Sequence, residues 1–127
     1  MTQSFFIRGP LPDFNQIIAA AKLRRGKWSS YGDLKQRWTT IVAHTALEAC
    51  LVPRAAGSRV VLRFLWVEPH RRRDPDNIAA GGRKLILDGL VAAGILDNDG
   101  WKQIAGWTDN FAIDINEPGV RVEMECV

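Results

Sequence analysis

The chain is poor in the residues that staple small domains together. Its 127 residues include only two cysteines and two histidines. There is no CxxC pair and no cysteine–histidine cluster, which excludes a zinc site of the usual kind. Cys50 and Cys126 lie far apart, each in an apolar context ("LEACLV" and "VEMECV"). Two buried thiols outside a disulfide are expected, in keeping with a reducing compartment. Long hydrophobic runs are also missing: no stretch of about 18 uncharged apolar residues occurs. The opening "MTQSFFIRGP" lacks an apolar run behind a basic start, so neither export nor a membrane span is expected. Internal repeats, low-complexity tracts and linkers are absent too, which makes residues 1–127 one expected domain, with one core.

What the chain does have is an ordinary globular composition, 46% hydrophobic and 24% charged, with clustered basic residues. "KLRRGK" at 22–27 and "HRRR" at 70–73 hold seven of the seventeen lysines and arginines, within a formal net charge of only +3. The clustering, more than the total, points to a polyanionic partner.

Hydrophobic periodicity divides the rest into an α/β domain with a mixed β-sheet and two main helices. "SFFIRG" at 4–9 reads as a short strand stopped by Gly9 and the prolines of "PLP". The segment "DFNQIIAAAKLRRGKWSSYG" gives mixed signals, a short helix followed by a basic loop. Over 31–52, Leu34, Trp38, Ile41, Val42, Ala46 and Ala49 recur at helical spacing behind a Ser30–Asp33 capping pair, with Pro53 as the stop. "RVVLRFLWV" at 59–67 is apolar on nearly both faces and is expected in the middle of the sheet, covered by helix on at least one side. A second long helix follows over 77–94, ended by Gly94. It contains Gly81 and Gly82, each costing about 1 kcal/mol relative to alanine. Either the helix starts after them, or something approaches its backbone closely. Two strands, 102–115 and 119–126, close the chain through "NEPG", the last alternating Val120, Val122, Met124 and Cys126 with charged residues.

The chemistry lies in two acidic segments. Asp74 and Asp76 flank Pro75 directly after the central strand, where α/β folds gather their ligand sites. An extended chain there would turn both carboxylates to one side, and two carboxylates so placed call for a cation. Mg²⁺ suits them, because it takes hard oxygen ligands and is usually held by one or two carboxylates plus substrate phosphate. The plainer alternative is that Asp76 or Asn77 caps the following helix. "LDNDG" adds Asp97 and Asp99. A calcium hand is excluded, since its first and twelfth ligand positions would fall on Ile95 and Gly106. Asp99, brought to Asp74 and Asp76, would complete a three-acid site beside a basic groove, a combination suited to metal-assisted phosphodiester hydrolysis.

"RRRDPDN", followed by "RKLILDGLVAAGILDND" and "WKQI", resembles the signature of RusA-type Holliday junction resolvases over about residues 66–107. "PLPDFN" is similar to that family's proline-rich segment ending in Asn, here Asn15. The resemblance implies a RusA-like fold in which Asp74, Asp76 and Asp99 are the metal-binding acids and Lys84 the catalytic lysine. Asp99 lies eleven residues beyond Asp88, as the motif requires. Between Asn77 and Lys84 the chain carries about four residues more than the best-known pattern, roughly one helical turn, which makes Arg83 a rival to Lys84. Arg71, Arg72, Arg73, Arg83, Lys22, Arg24, Arg25, Lys27 and Asn15 form the expected DNA-binding set. The implied activity is that of an Mg²⁺-dependent endonuclease, with Mn²⁺ as a possible substitute. Acting as a homodimer on branched DNA, it would place paired nicks in four-way junctions during recombination and repair. The implied setting is the cytoplasm of a bacterium or a phage-infected host. A non-catalytic module that binds branched DNA, and a nuclease for flaps or replication forks, are the alternatives.

Overall fold

The computed structural model describes residues 2–25, 28–53 and 58–127. Its main sheet has four strands: β1 (Thr2–Arg8), β4 (Val60–Glu68), β5 (Ile104–Ile113) and β6 (Gly119–Cys126), in the order β1-β6-β4-β5. β6 pairs antiparallel with both β1 and β4, whereas β4 and β5 run parallel. A parallel pair needs a long crossover, supplied by helix α3 (Pro75–Ala92). The sheet is therefore mixed and β4 is interior, as its double-sided hydrophobicity predicts.

Alternate residues of β4, from Val60 through Leu62, Phe64 and Trp66 to Glu68, are buried. Val120, Val122 and Met124 of β6 join them in the core, with Phe5 and Ile7 of β1. On the opposite face Arg63 is exposed and Val61, Leu65 and Val67 are half-buried. Among the described residues, no helix is long and apolar enough to cross a membrane.

Among the described residues, the two main helices are joined by a third, shorter one. The ambiguous segment forms α1 (Phe14–Lys22), begun by a full capping box: Asp13 accepts from the Gln16 N–H at 2.8 Å, and Gln16 accepts from the Asp13 N–H at 2.9 Å. The expected basic loop contains a two-residue pairing of β2 (Arg24–Arg25) with β3 (Trp28–Ser29). Helix α2 (Ser30–Glu48) starts on Ser30 itself, whose N–H donates to the Leu23 carbonyl at 3.0 Å.

α2 also ends earlier than Pro53 suggests. The N–H of Cys50 donates to Leu47 at 3.0 Å and that of Leu51 to Ala46 at 3.3 Å, the paired bonds of a Schellman turn. Cys50 occupies the left-handed position of this turn at φ 58°. α3 closes in the same way, with Gly94 at φ 74° and bonds from Gly94 to Val91 and from Ile95 to Leu90, both 3.0 Å. Glycine is the residue such a turn favours, and a Cβ there is strained. The expectation of two buried thiols is corrected accordingly: Cys50 is exposed at its turn, Cys126 is half-buried, and neither forms a disulfide. Cys50→Gly should raise stability by about 0.5–1 kcal/mol, read as an upward shift of the urea midpoint.

The glycine pair resolves in favour of close approach. α3 runs unbroken through Gly81 and Gly82. A Cβ on Gly81 would lie 2.4 Å from the carbonyl carbon of Asp13, and one on Gly82 would lie 2.4 Å from the Trp66 ring. At Gly89 a Cβ would lie 2.4 Å from Val42 of α2. One side of α3 is thus kept bare so that the start of α1, the central strand and α2 can all reach its backbone.

Candidate functional site

The chain leaves β4 at Glu68, passes His70–Arg73 and enters α3 at Pro75, which occupies the first helical turn where a missing N–H costs nothing. Asp74 and Asp76 therefore flank the start of a helix rather than lying on one extended stretch. Asp74 holds the N-cap position with extended backbone (φ −76°, ψ 142°), yet its side chain makes no capping bond. The contrast with Asp13, which caps α1 in both directions, is direct. Asp76 lies in the first turn of α3 and is likewise exposed. Among the described residues, neither carboxylate has a hydrogen-bonding or ion-pair partner.

Arg73, one of the arginines expected to bind DNA, is half-buried and clamps neighbouring elements together. Its Nε and Nη2 donate to the two oxygens of Glu68 at 2.8 Å each, and Nη1 donates to the Leu11 carbonyl at 2.7 Å and to Gln16 Oε1 at 3.2 Å. Asp13 lies 3.7 Å from the same Nη1. Glu68 is buried, and a buried charge must be answered. The first residue of the acidic loop is thereby tied to the end of β4 and the start of α1. Arg71 and Arg72 remain exposed, as do Asn15 and Lys22 at opposite ends of α1, about 10 Å apart along its axis. Arg24 and Arg25 are placed by their backbone only, and Lys27 lies outside the described residues.

Arg83 is half-buried as well. Its guanidinium lies 4.8 Å from the Trp107 ring centre and bonds to Asp109, which accepts in turn from Trp66 Nε1 at 2.8 Å. It joins α3 to β5. Asp109 and Trp107 escape a reading by sequence alone, since they meet Arg83 only when α3 lies on β5.

The third acid sits apart from the first two. Asp99 Oδ2 is 2.9 Å from Lys84 Nζ, which also contacts Asp88 Oδ1 at 3.0 Å, while Lys35 lies 3.4 Å from Asp88 Oδ2. Lys84 is eight residues beyond Asp76, about 12 Å along α3. Among the described residues, no three acids, histidines or cysteines are grouped so as to hold a metal. The expected convergence of Asp99 on Asp74 and Asp76 is not made in this arrangement. Asp97 is exposed on the same turn.

The Lys84 bond holds the Asp99 carboxyl below the usual carboxylate range, while Asp99 and then Asp88 push the Lys84 ammonium up. Asp99 binds its proton more weakly when folded, so its contribution is present above the ordinary carboxylate pKa and is lost as pH falls through the lowered value. Lys84 holds its proton more tightly, so its share is fully present below the ordinary lysine pKa and is lost as pH rises through the raised value. Lys84 is mostly exposed, so the pair contributes no more than about 1 kcal/mol. Lys84→Met should return the Asp99 titration to the ordinary range in carboxyl-carbon NMR; an unmoved titration would show that Lys84 does not hold it.

Beside the acidic loop lies a cavity of about 500 Å³ at the carboxyl ends of β4 and β5. Asp74, His70 and Arg71 border it, and Pro75, Ile78, Phe111 and Ile113 supply apolar wall. Phe111 and Ile113 were not among the sequence candidates. Their signal is the period-two series Trp107, Asp109, Phe111, Ile113 on one face of β5, which continues past the part engaged with Arg83. No family model matches the chain, and no curated protein matches it.

Proposed function

We propose that the protein is an Mg²⁺-dependent endonuclease that nicks branched DNA, acting on four-way junctions in the manner of the RusA-type resolvases its acidic and helical segments resemble. The observation that carries this reading is the pair Asp74 and Asp76: two exposed carboxylates without partners, at a helix N-terminus, at the carboxyl end of an interior strand. A side chain whose purpose was capping would make the bond that Asp13 makes. Two hard carboxylates suffice to hold Mg²⁺ when substrate phosphate completes its shell, so these residues fit the ion without Asp99.

Bound there, Mg²⁺ would polarise a phosphoryl oxygen and lower the pKa of a coordinated water. The protein's own part is positional. Glu68 and Arg73 fix the root of the acidic loop, and Pro75 sets the entry of α3. Arg71 and Arg72 offer exposed cations to the flanking phosphates. A homodimer fits the proposal, because a two-fold substrate cut twice suits two symmetry-related sites.

The test is a four-way junction with one labelled strand, incubated with Mg²⁺ or with EDTA. Paired nicks are expected with Mg²⁺, and with Mn²⁺ in its place, and none with EDTA. Nicking that persists in EDTA, or none in either metal, would overturn the reading. One observation favours a second reading, a binding module without catalysis: Asp99 is already engaged by Lys84. That module would bind the junction in a salt-sensitive, metal-independent way and leave it intact.

A further inference from the structure

The cavity at the carboxyl ends of β4 and β5 has a character that phosphate chemistry does not require. Phe111 and Ile113 share a face with Trp66 and Glu68, their partners across the parallel register. Further along β5 this face is engaged with α3 through Arg83. At the strand's end α3 has only begun, at Pro75, and Phe111 and Ile113 are left 41% and 47% exposed. An aromatic ring and aliphatic groups so line a concave space whose volume is typical of small-molecule sites. The carboxylate of Glu68, which would repel DNA, is answered by two bonds from Arg73. Its border carries Asp74 on one side, with the exposed His70 and Arg71.

From this geometry we infer that the cavity receives a nucleobase unstacked from the DNA strand whose phosphate lies at Asp74, with the base against Phe111. The inference rests on the endonuclease reading for the position of the phosphate. A base is one sugar removed from its phosphate, so a cavity bordered by a phosphate-side acid is placed to take the neighbouring base. Stacking on an aromatic side chain contributes about 1–3 kcal/mol per base and tolerates any base. Extrusion costs least where the base is already unpaired, and a branch point is where stacking is interrupted. The cavity thus supplies a means of selecting branched over continuous duplex DNA that needs no sequence readout.

Binding in EDTA tests this apart from catalysis. Two four-way junctions are compared, identical except that one carries an unpaired thymine at the crossover. The wild-type protein is expected to prefer the unpaired junction by at least about fivefold, the lower bound of one stacked base. Phe111→Trp should keep that preference. Phe111→Leu, which keeps an apolar side chain but removes the ring, should bind both junctions equally. A preference retained by Phe111→Leu, or absent from the wild type, overturns the inference. So does a change in sedimentation of Phe111→Leu with the preference intact, which would make the cavity a contact between protein chains. Failure of Mg²⁺-dependent nicking with the base preference intact would remove the endonuclease reading and leave the base site standing.

Discussion

Asp76→Asn is expected to reduce Mg²⁺-dependent nicking of a four-way junction by about three orders of magnitude while leaving binding unchanged or tighter. The amide keeps the shape of the carboxylate and withdraws its charge. A bound metal contributes several kcal/mol of transition-state stabilisation, and each 1.36 kcal/mol is a factor of about ten in rate. Losing one of two protein ligands removes most of that. Binding moves the other way, because an anion facing phosphate is deleted from a surface that includes Arg71 and Arg72. Single-turnover cleavage in Mg²⁺ and equilibrium binding in EDTA, on the same substrate, separate the two effects. A variant that cleaves at the wild-type rate would remove Asp76 from the site. Asp99→Asn is the informative companion. A loss as large as that of Asp76→Asn would mean that Asp99 leaves Lys84 for the metal when DNA binds; a small loss would leave Asp99 as the lysine's partner.

Gly81→Ala should be strongly destabilising. Helix propensity alone would favour alanine by about 1 kcal/mol. Against that, the new Cβ would meet the Asp13 carbonyl carbon at 2.4 Å, the Phe14 nitrogen at 2.6 Å and the Pro12 oxygen at 2.7 Å. All three are backbone atoms, so no side-chain rotation relieves the contact. Overpacking costs about 1–3 kcal/mol and occasionally more, and pushing α1 away also strains the Asp13 capping box and the Arg73 clamp. A net loss of about 3 kcal/mol is a large share of the 5–15 kcal/mol typical of a domain and should lower the melting temperature by about 10 °C or more. Gly106→Ala, where a Cβ meets nothing within 4 Å, is the control and should change little. If Gly81→Ala melts with the wild type, α1 does not dock on α3 as described.

The legible parts of the fold are those with local periodicity. Val120, Val122 and Met124 announce a half-buried strand because one face of β6 meets the core, and the two-sided hydrophobicity of β4 marks an interior strand. Gly94 marks a helix end because only glycine turns there without strain. Cys50 makes the same turn with a residue that gives no such signal, so α2 reads too long. The acids Asp74 and Asp76 are visible as a motif, but not the helical turn they flank, since Pro75 suits both an extended chain and a first helical residue. Arg73 and Arg83 look like surface cations because arginine usually is one. Their partners, Glu68 at one end of β4 and Asp109 on β5, are set by packing between elements. The position of Asp99 is long-range in the same sense: its distance along the sequence says nothing of its pairing with Lys84.

The bare side of α3 also bears on the order of assembly. Contacts of Asp13 and Phe14 with Gly81 close a loop spanning more than half of the chain, and contacts at such separation form slowly because closure entropy is lost before they contribute anything. The β4–α3 unit is contiguous and carries Asp74, Asp76 and the notch itself. Folding can therefore set the acidic loop first, with the N-terminal segment arriving afterwards as a latch that seats on Gly81 and is fastened by Arg73.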